Sequence, residues 1–329
     1  MLWGLLLNSN WLTGNILPAL LKKELISLVL DGNRLFGDLS GQQIKATLIG
    51  LSQNKLTVNF NTIRLSESLT FIDVSQNLFS GTFPQILCHL GRLDSADFSR
   101  NRLTGTVPAN FFKTANLMQL AIFLSHNNFL GSLRPFSNLP SSIAAVDLGF
   151  NRFTGGIPRG LTTLPQQNYL DLGGNALTGP IPAFCQGKQA LVFLNLASNT
   201  LSGPPTPLSS PSCSASLDLL YLSSNRLSGP IPATISSFTR LKRLLLDKNT
   251  LAGSIPAGVS KLQRLQGLGL SYNSLLGNIP AVWPASFRQV LLAGNRLSGA
   301  VPAALSKLKR GSFKPENPNL CRKPLPTCA

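Results

Sequence analysis

The sequence is poor in the residues that carry most enzyme chemistry. Its 329 residues include only two histidines, five cysteines and twelve acidic residues. Cys88 and His89 form a conceivable nucleophile pair, but sequence neighbours rarely face each other and no third orienting group is evident. No phosphate loop, metal-ligand cluster or CxxC zinc pattern is present. We therefore expect no catalysis, no metal and no cofactor.

Long apolar runs are also absent. Hydrophobic residues make up 43% of the chain, yet no stretch approaches the roughly 20 apolar residues that span a bilayer. The opening segment 1–7 is apolar but lacks the positive start of a signal peptide. We interpret it as the first strand of a repeat, so that any export signal lies upstream or is missing.

Acidic residues are scarce enough to leave a formal net charge of +17. Between Arg240 and Lys323 there are 14 basic residues against Asp247 and Glu316. Such an excess suits a nucleic acid, an acidic surface or an acidic polysaccharide, and equally a solvated outer face. No nucleic-acid-binding motif accompanies it. We therefore expect no nucleic-acid partner, and an acidic polysaccharide stays open as a partner.

What the sequence does contain is a repeat. The pattern LxLxxNxLxGxIP recurs along the chain, most plainly at 170–182, 220–232 and 244–256. Repeats of this kind predict a solenoid, in which each coil buries its apolar side against the next. The asparagine marks the register at thirteen positions, most often 24 residues apart: Asn10, Asn33, Asn54, Asn77, Asn101, Asn127, Asn151, Asn175, Asn199, Asn225, Asn249, Asn273 and Asn295.

Each position of the repeat has a physical role. Leu170 and Leu172 alternate with period two and point inward from a short strand. The asparagine amide can satisfy backbone groups of its own coil and of the adjacent coil. Glycine four residues later, as at Gly105, Gly155 and Gly229, permits a backbone that other residues resist.

The predicted fold is an α/β leucine-rich-repeat solenoid, a right-handed curved superhelix of about thirteen coils. Short parallel strands line its concave face, with 3-10 or irregular segments and short extra strands on the convex side. Residues 1–302 form the solenoid without an N-terminal cap, and 303–329 form a C-terminal cap.

The second half of each repeat carries a family resemblance. Gly-x-Ile-Pro ends several coils, at 155–158, 179–182, 229–232 and 277–280. With it the chain resembles the plant-specific class of leucine-rich-repeat proteins, whose members are ectodomains of receptor-like kinases and receptor-like proteins, and secreted polygalacturonase inhibitors. The resemblance implies an extracellular or cell-surface module for ligand recognition in signalling. A secreted inhibitor and a truncated receptor-gene copy remain as alternatives.

The cysteines predict up to two disulfides in an oxidising compartment. Cys321 and Cys328 lie seven residues apart in a proline-rich tail that resembles the family's C-terminal cap. Cys185 and Cys213 fall at similar positions of adjacent coils, so a second bridge is possible. Cys88 is left over as a small buried apolar residue.

The predicted binding surface lies on the outward positions of the strands. Aromatic residues dominate binding hot spots, and five are expected to face outward in consecutive coils: Phe123, Phe150, Tyr169, Phe193 and Tyr221. Three basic residues are expected beside them with little acid nearby: Lys242, Arg243 and Lys248. This gradient suits a peptide or a partner ectodomain, such as that of a co-receptor, with apolar side chains and an acidic end. Aspartates such as Asp73 and Asp97 could imitate a glycosidase pair, but their recurrence at Asp147 and Asp171 indicates repeat pattern instead.

Overall fold

The computed structural model describes residues 3–111, 121–185, 191–209 and 211–321. Contacts divide the chain into two compact units, Met1–Gln167 and Asn168–Ala329. Both units repeat one coil: a front strand, a tight turn, a ladder asparagine and then a back strand. The predicted leucine-rich-repeat solenoid is confirmed.

Within each unit, every front strand pairs in parallel with the front strand of the next coil. The register of these pairs is the same throughout. In Tyr169–Asp171, for example, the middle residue Leu170 is fully buried, while its two neighbours are half-buried. The first unit has Gly4–Leu6, Leu25–Val29, Ala46–Gly50, Phe71–Asp73, Ser95–Asp97, Ala121–Phe123 and Ala145–Asp147. The second has Tyr169–Asp171, Phe193–Asn195, Leu219–Tyr221, Arg243–Leu245, Gly267–Gly269 and Gln289–Leu291.

The back strands follow the ladder asparagines and also pair in parallel. Those of the first unit are Thr13–Gly14, Arg34–Asp38, Lys55–Thr57, Thr104–Gly105, Asn128–Ser132 and Arg152–Gly155. Those of the second are Ala176–Pro180, Thr200–Gly203, Arg226–Gly229, Thr250–Gly253, Ser274–Asn278, Arg296–Ala300 and Asn319–Cys321. A further pair joins Gln43–Ile44 to Arg64–Leu65.

Short helices close many coils behind the proline of the repeat. The α-helices are Pro18–Leu21 and Pro211–Ser214. The 3-10 helices are Gln85–His89, Arg134–Ser137, Arg159–Leu161, Thr206–Ser209, Ala233–Ser237, Ala257–Lys261, Ala303–Leu305 and Arg310–Ser312. Pro158 is extended, with φ −74° and ψ 148°, and the helix begins only after it. Proline in this place allows the strand to end and a helix to start.

Side chains of the ladder asparagines join neighbouring coils. The amide nitrogen of Asn199 donates to the carbonyl oxygens of Leu196 in its own coil and Leu172 in the preceding one, at 3.2 and 3.0 Å. Its Oδ1 accepts the backbone N–H of Leu177 at 2.9 Å. One side chain therefore satisfies buried donors and acceptors of two coils.

Asn317 is a ladder asparagine that the sequence pattern missed. It is fully buried, donates to the carbonyl of Leu292 at 2.8 Å and accepts the N–H of Leu297 at 2.9 Å. It follows Asn295 by 22 residues (317 − 295), within the period of the repeat. The C-terminal segment thus adds a fourteenth asparagine to the ladder.

A left-handed residue precedes every one of the thirteen predicted asparagines. The φ angles of these residues lie between 52° and 69°. Only Gly32, Gly174 and Gly294 are glycines, although the left-handed region favours glycine. The chain therefore leaves the front strand in a sharp turn just before the asparagine. The residues are Ser9, Gly32, Gln53, Gln76, Arg100, His126, Phe150, Gly174, Ser198, Ser224, Lys248, Tyr272 and Gly294.

Aspartates at the end of the front strands hold this turn. Asp73 and Asp97 each accept the backbone N–H of the serine two residues later, at 2.9 and 2.8 Å. Asp147 and Asp171 accept from the glycine two residues later in the same way. This use of the carboxylates supports their interpretation as part of the repeat pattern. Burial raises the pKa of Asp97, against the hydrogen bond from Ser99 and with a smaller contribution from the charge of Asp73.

Two aspartates reach into the next coil instead. The Oδ1 of Asp31 accepts the N–H of Ser52 at 2.7 Å, and that of Asp247 accepts the N–H of Ser271 at 2.8 Å. The carboxylates occupy the space above Gly50 and Gly269, where a Cβ would overlap an aspartate oxygen. Each aspartate and the glycine of the following coil therefore form a matched pair.

One of the predicted disulfides lies within the described residues. Cys185 and Cys213 form a disulfide in the second unit, with Cα atoms 5.2 Å apart. Cys321 is disulfide-bonded, but Cys328 lies outside the described residues, so their pairing stays a prediction. Cys88 is 1% exposed, as expected of a small core residue, and burial raises the pKa of its thiol.

Replacing Asn199 by alanine tests the ladder. The carbonyls of Leu172 and Leu196 would lose a partner, and an unpaired buried polar group costs about 1–3 kcal/mol. We expect the free energy of unfolding, measured by urea denaturation, to fall by about 3 kcal/mol. Asn10→Ala is the control, because Asn10 is exposed and donates only within its own coil. Equal losses in the two variants would contradict the ladder.

The raised pKa of Asp97 predicts a pH dependence. Because its folded pKa lies above the unfolded value, its contribution to stability is present at low pH and is lost as the pH rises through the acid range. Asparagine can accept the same bond, as Asn195 does from Ala197 at 3.0 Å. We therefore expect Asp97→Asn to match the wild type near pH 3.5 and to be the more stable protein at pH 7.

Thermal unfolding of both proteins across this pH range checks the expectation. Asp38→Asn serves as the control, since the exposed Asp38 accepts the N–H of Ser40 in the same kind of turn. A wild type that is more stable than Asp97→Asn at pH 7 would overturn the assignment.

Candidate ligand-binding surface

Two outward lanes run along the front strands of each unit. The first lane holds the residue six positions before each ladder asparagine, and the second lane the residue four positions before it. Their members pair in register from strand to strand, as in Tyr169 with Phe193 and Asp171 with Asn195. Successive lane members therefore stand about 4.8 Å apart, the spacing of adjacent strands.

Three of the predicted aromatic residues come together in the second unit. The rings of Tyr169 and Phe193 stack with centroids 4.5 Å apart and planes 8° from parallel. Tyr221 meets Phe193 edge to face, with centroids 5.6 Å apart. All three are half-buried on the front strands. We call Tyr169, Phe193 and Tyr221 the aromatic strip.

Two leucines outside the predicted binding set extend the strip. Leu219 pairs with Phe193 in the first lane, and Leu245 pairs with Tyr221 in the second. Both are half-buried. Their signal in the sequence was the same strand position that identified the aromatic residues. The strip and these leucines together offer ring faces, aliphatic edges and two phenol groups to a ligand.

The other two predicted aromatic residues belong to the first unit. Phe123 lies in the second lane, as expected, and pairs with Asp97 on one side and Asp147 on the other. Phe71 in the first lane is a half-buried aromatic that the sequence reasoning missed. The front of this unit therefore carries separate rings among carboxylates, unlike the continuous strip.

The prediction that Phe150 lies on a strand is wrong. Phe150 occupies the left-handed turn before Asn151, with φ 52°, and is 53% exposed. Its ring stacks on His126, the corresponding residue of the preceding coil, with centroids 4.4 Å apart. The front strand ends at Asp147, so the ring of Phe150 lies in the turn, outside both lanes.

The expectation of basic residues with little acid nearby is also wrong. Lys242 Nζ lies 2.6 Å from the carboxylate of Asp218, and Arg240 Nε lies 3.3 Å from it. Lys248 occupies a left-handed turn and its charge acts on Asp247. Of the three predicted residues, Arg243 alone stands on a front strand, where its aliphatic part covers Gly267.

The electrostatics of this region follow from these pairs. Burial raises the pKa of Asp218, but the hydrogen bonds and charges of Lys242 and Arg240 outweigh it, so the net pKa is lowered. Burial raises the pKa of Asp247, and the N–H of Ser271 opposes the shift. The acidic groups are therefore tied to neighbouring residues of the protein.

The described residues contain no group of three or more histidine, cysteine, aspartate or glutamate residues that could hold a metal ion. Among them, too, no helix is both long and apolar enough to cross a membrane.

The sequence of the chain is similar to those of known proteins. The Leucine Rich Repeat family model matches residues 68–90 and 216–238. Receptor like protein 28 of Arabidopsis thaliana is 32% identical over 144 residues, which are 41% of this chain and 18% of that protein. The chain thus spans less than a fifth of the length of this curated relative.

Solved structures extend the likeness to most of the chain. The crystal structure of a TDR receptor has a TM-score of 0.77 at 26% identity, covering 93% of this chain and 53% of its own. The plant peptide hormone receptor RGFR1, in complex with RGF2, has a TM-score of 0.69 at 25% identity, covering 92% of this chain and 57% of its own.

The repeat, the coil geometry and these likenesses agree with one another. The chain carries leucine-rich repeats and resembles the ectodomains of plant receptor-like proteins and receptor kinases.

Proposed function

We propose that the chain is a recognition module of a plant receptor-like protein or kinase, and that it binds a peptide or a partner ectodomain for signalling at the cell surface. The observation that carries this proposal is the aromatic strip on the front of the second unit. Half-buried rings held on a rigid sheet lose little freedom on binding, and tyrosine is enriched among binding hot spots.

The geometry suits an extended peptide. The strip offers stacked faces at Tyr169 and Phe193 and an edge at Tyr221. Apolar side chains of a ligand can pack on these rings, and Arg243 stands on the next front strand, in register with Leu219, for an acidic group. RGFR1, to which the fold is similar, is described in complex with RGF2, and this likeness supports a peptide ligand. A co-receptor ectodomain and an acidic cell-wall polysaccharide stay predictions.

We propose further that the chain acts without catalysis. Asp73 and Asp97, the pair that could imitate a glycosidase, each accept a backbone N–H of the turn. Cys88, the candidate nucleophile next to His89, is buried and the pKa of its thiol is raised, which disfavours the reactive thiolate. The recognition surface and the family likeness support binding instead.

Peptide binding can be tested with the peptide fraction of plant extracellular fluid. Peptides retained by the immobilised chain are identified by mass spectrometry, synthesised and titrated by calorimetry. We expect Phe193→Ala to weaken binding at least tenfold, since truncation of a hot-spot residue costs about 2 kcal/mol or more. Phe36→Ala is the control, because Phe36 is a 50% exposed aromatic residue on a back strand of the first unit.

Circular dichroism and the thermal midpoint of each variant exclude a folding defect. Retention of no peptide by the intact chain would remove the proposal. Unchanged affinity in Phe193→Ala would move the site away from the aromatic strip.

A further inference from the structure

A second candidate site lies where the last front strand of the second unit, Gln289–Leu291, meets the C-terminal segment. There the neighbouring chain is the 3-10 helix Arg310–Ser312, joined by a bond from the N–H of Leu292 to the carbonyl of Ser312 at 2.6 Å. Because a helix lies where an ordinary coil would place a strand, a cavity of about 530 Å³ stays open beside the sheet.

The lining of this cavity is positively charged. Arg288 flanks the front strand, and Lys307 and Lys309 come from the C-terminal segment. No acidic residue lines it, and the sequence holds none between Asp247 and Glu316. We call Arg288, Lys307 and Lys309 the cationic pocket.

The three charges lack a counter-ion within the described residues. The ion pairs there join Lys45 to Glu24, and Arg240 and Lys242 to Asp218. Cations gathered in one cavity repel each other, and an anion bound between them relieves that repulsion. Arginine can hold a carboxylate through two parallel hydrogen bonds, and lysine contributes a compact charge.

The rest of the lining indicates the kind of anion. Gln289 and Ser312 offer uncharged hydrogen-bonding groups, and Leu291 and Leu308 offer apolar surface. The hydroxyl groups of a sugar can bond to the polar groups of the pocket, and the C–H faces of its ring can pack on the leucines. The several cations suit a ligand that carries several carboxylates. A single peptide carboxylate would engage only one or two of them. The volume lies in the range of ligand pockets, about 300–1,000 Å³.

We propose that the cationic pocket binds a carboxylated oligosaccharide, a chain of uronic acid sugars. This site is separate from the aromatic strip and uses different residues. A front surface for peptides and an end pocket for acidic sugars would let one chain contact both a soluble ligand and the carbohydrate around it.

The proposal is tested with oligogalacturonate as the probe. We expect the double variant Lys307→Ser/Lys309→Ser to bind it at least tenfold more weakly than the wild type, with a smaller dependence of affinity on salt. Lys22→Ser/Lys23→Ser is the matched control, since it removes the same charge from an exposed pair in the first unit. It is expected to bind like the wild type, as is Phe193→Ala, which tests the peptide surface independently.

Two further ligands identify the chemistry. Methyl-esterified oligogalacturonate, which keeps the sugar but loses the charge, is expected to bind poorly, and so is a polyglutamate peptide, which keeps the charge but loses the sugar. Equal binding of either ligand, equal losses in both lysine variants, or no binding of oligogalacturonate by the wild type would each overturn the proposal. Unchanged thermal midpoints of the variants exclude unfolding as the cause of a loss.

Discussion

The amide of the ladder asparagine is the interaction on which each coil depends. Leucine burial stabilises the stack, but hydrophobic burial is non-directional and would tolerate many alignments of one coil on the next. The hydrogen bonds of Asn199 with Leu172 and Leu177 of the preceding coil permit only one. Because the amide has one acceptor and two donor hydrogens, aspartate or leucine of similar size could not replace it.

The fold could be predicted because its signals are local and repeated. An asparagine, two leucines and a glycine at fixed spacings define a coil whatever the residues between them. Asn317 escaped the pattern because the helix Arg310–Ser312 stands where the front strand would be, so no Leu-x-Leu precedes it. The spacing of the repeat continues to Asn317 although the leucine motif is missing there. Its place in the ladder is recognised only from its hydrogen bond to the carbonyl of Leu292.

The binding surface could be predicted only in part. Alternation along a strand placed Tyr169, Phe193 and Tyr221 in outward lanes, since a strand reverses its side chains at each residue. The prediction for Phe150 failed because the left-handed turn lies within the repeat motif and no particular residue type identifies it. The prediction that Lys242 has little acid nearby failed because Asp218 lies 24 residues earlier in the sequence and contacts Lys242 from the adjacent coil. Contacts between coils depend on side-chain reach, which one-dimensional spacing does not contain.

The matched pairs of Asp31 with Gly50 and Asp247 with Gly269 limit how such a chain can change its length. Similar coils invite duplication and recombination, and many junctions between them would join without conflict. A junction that separates one of these aspartates from its glycine would instead drive a carboxylate against a side chain. The two coils that share such an aspartate and glycine must therefore be copied together, whereas other coils can be copied singly.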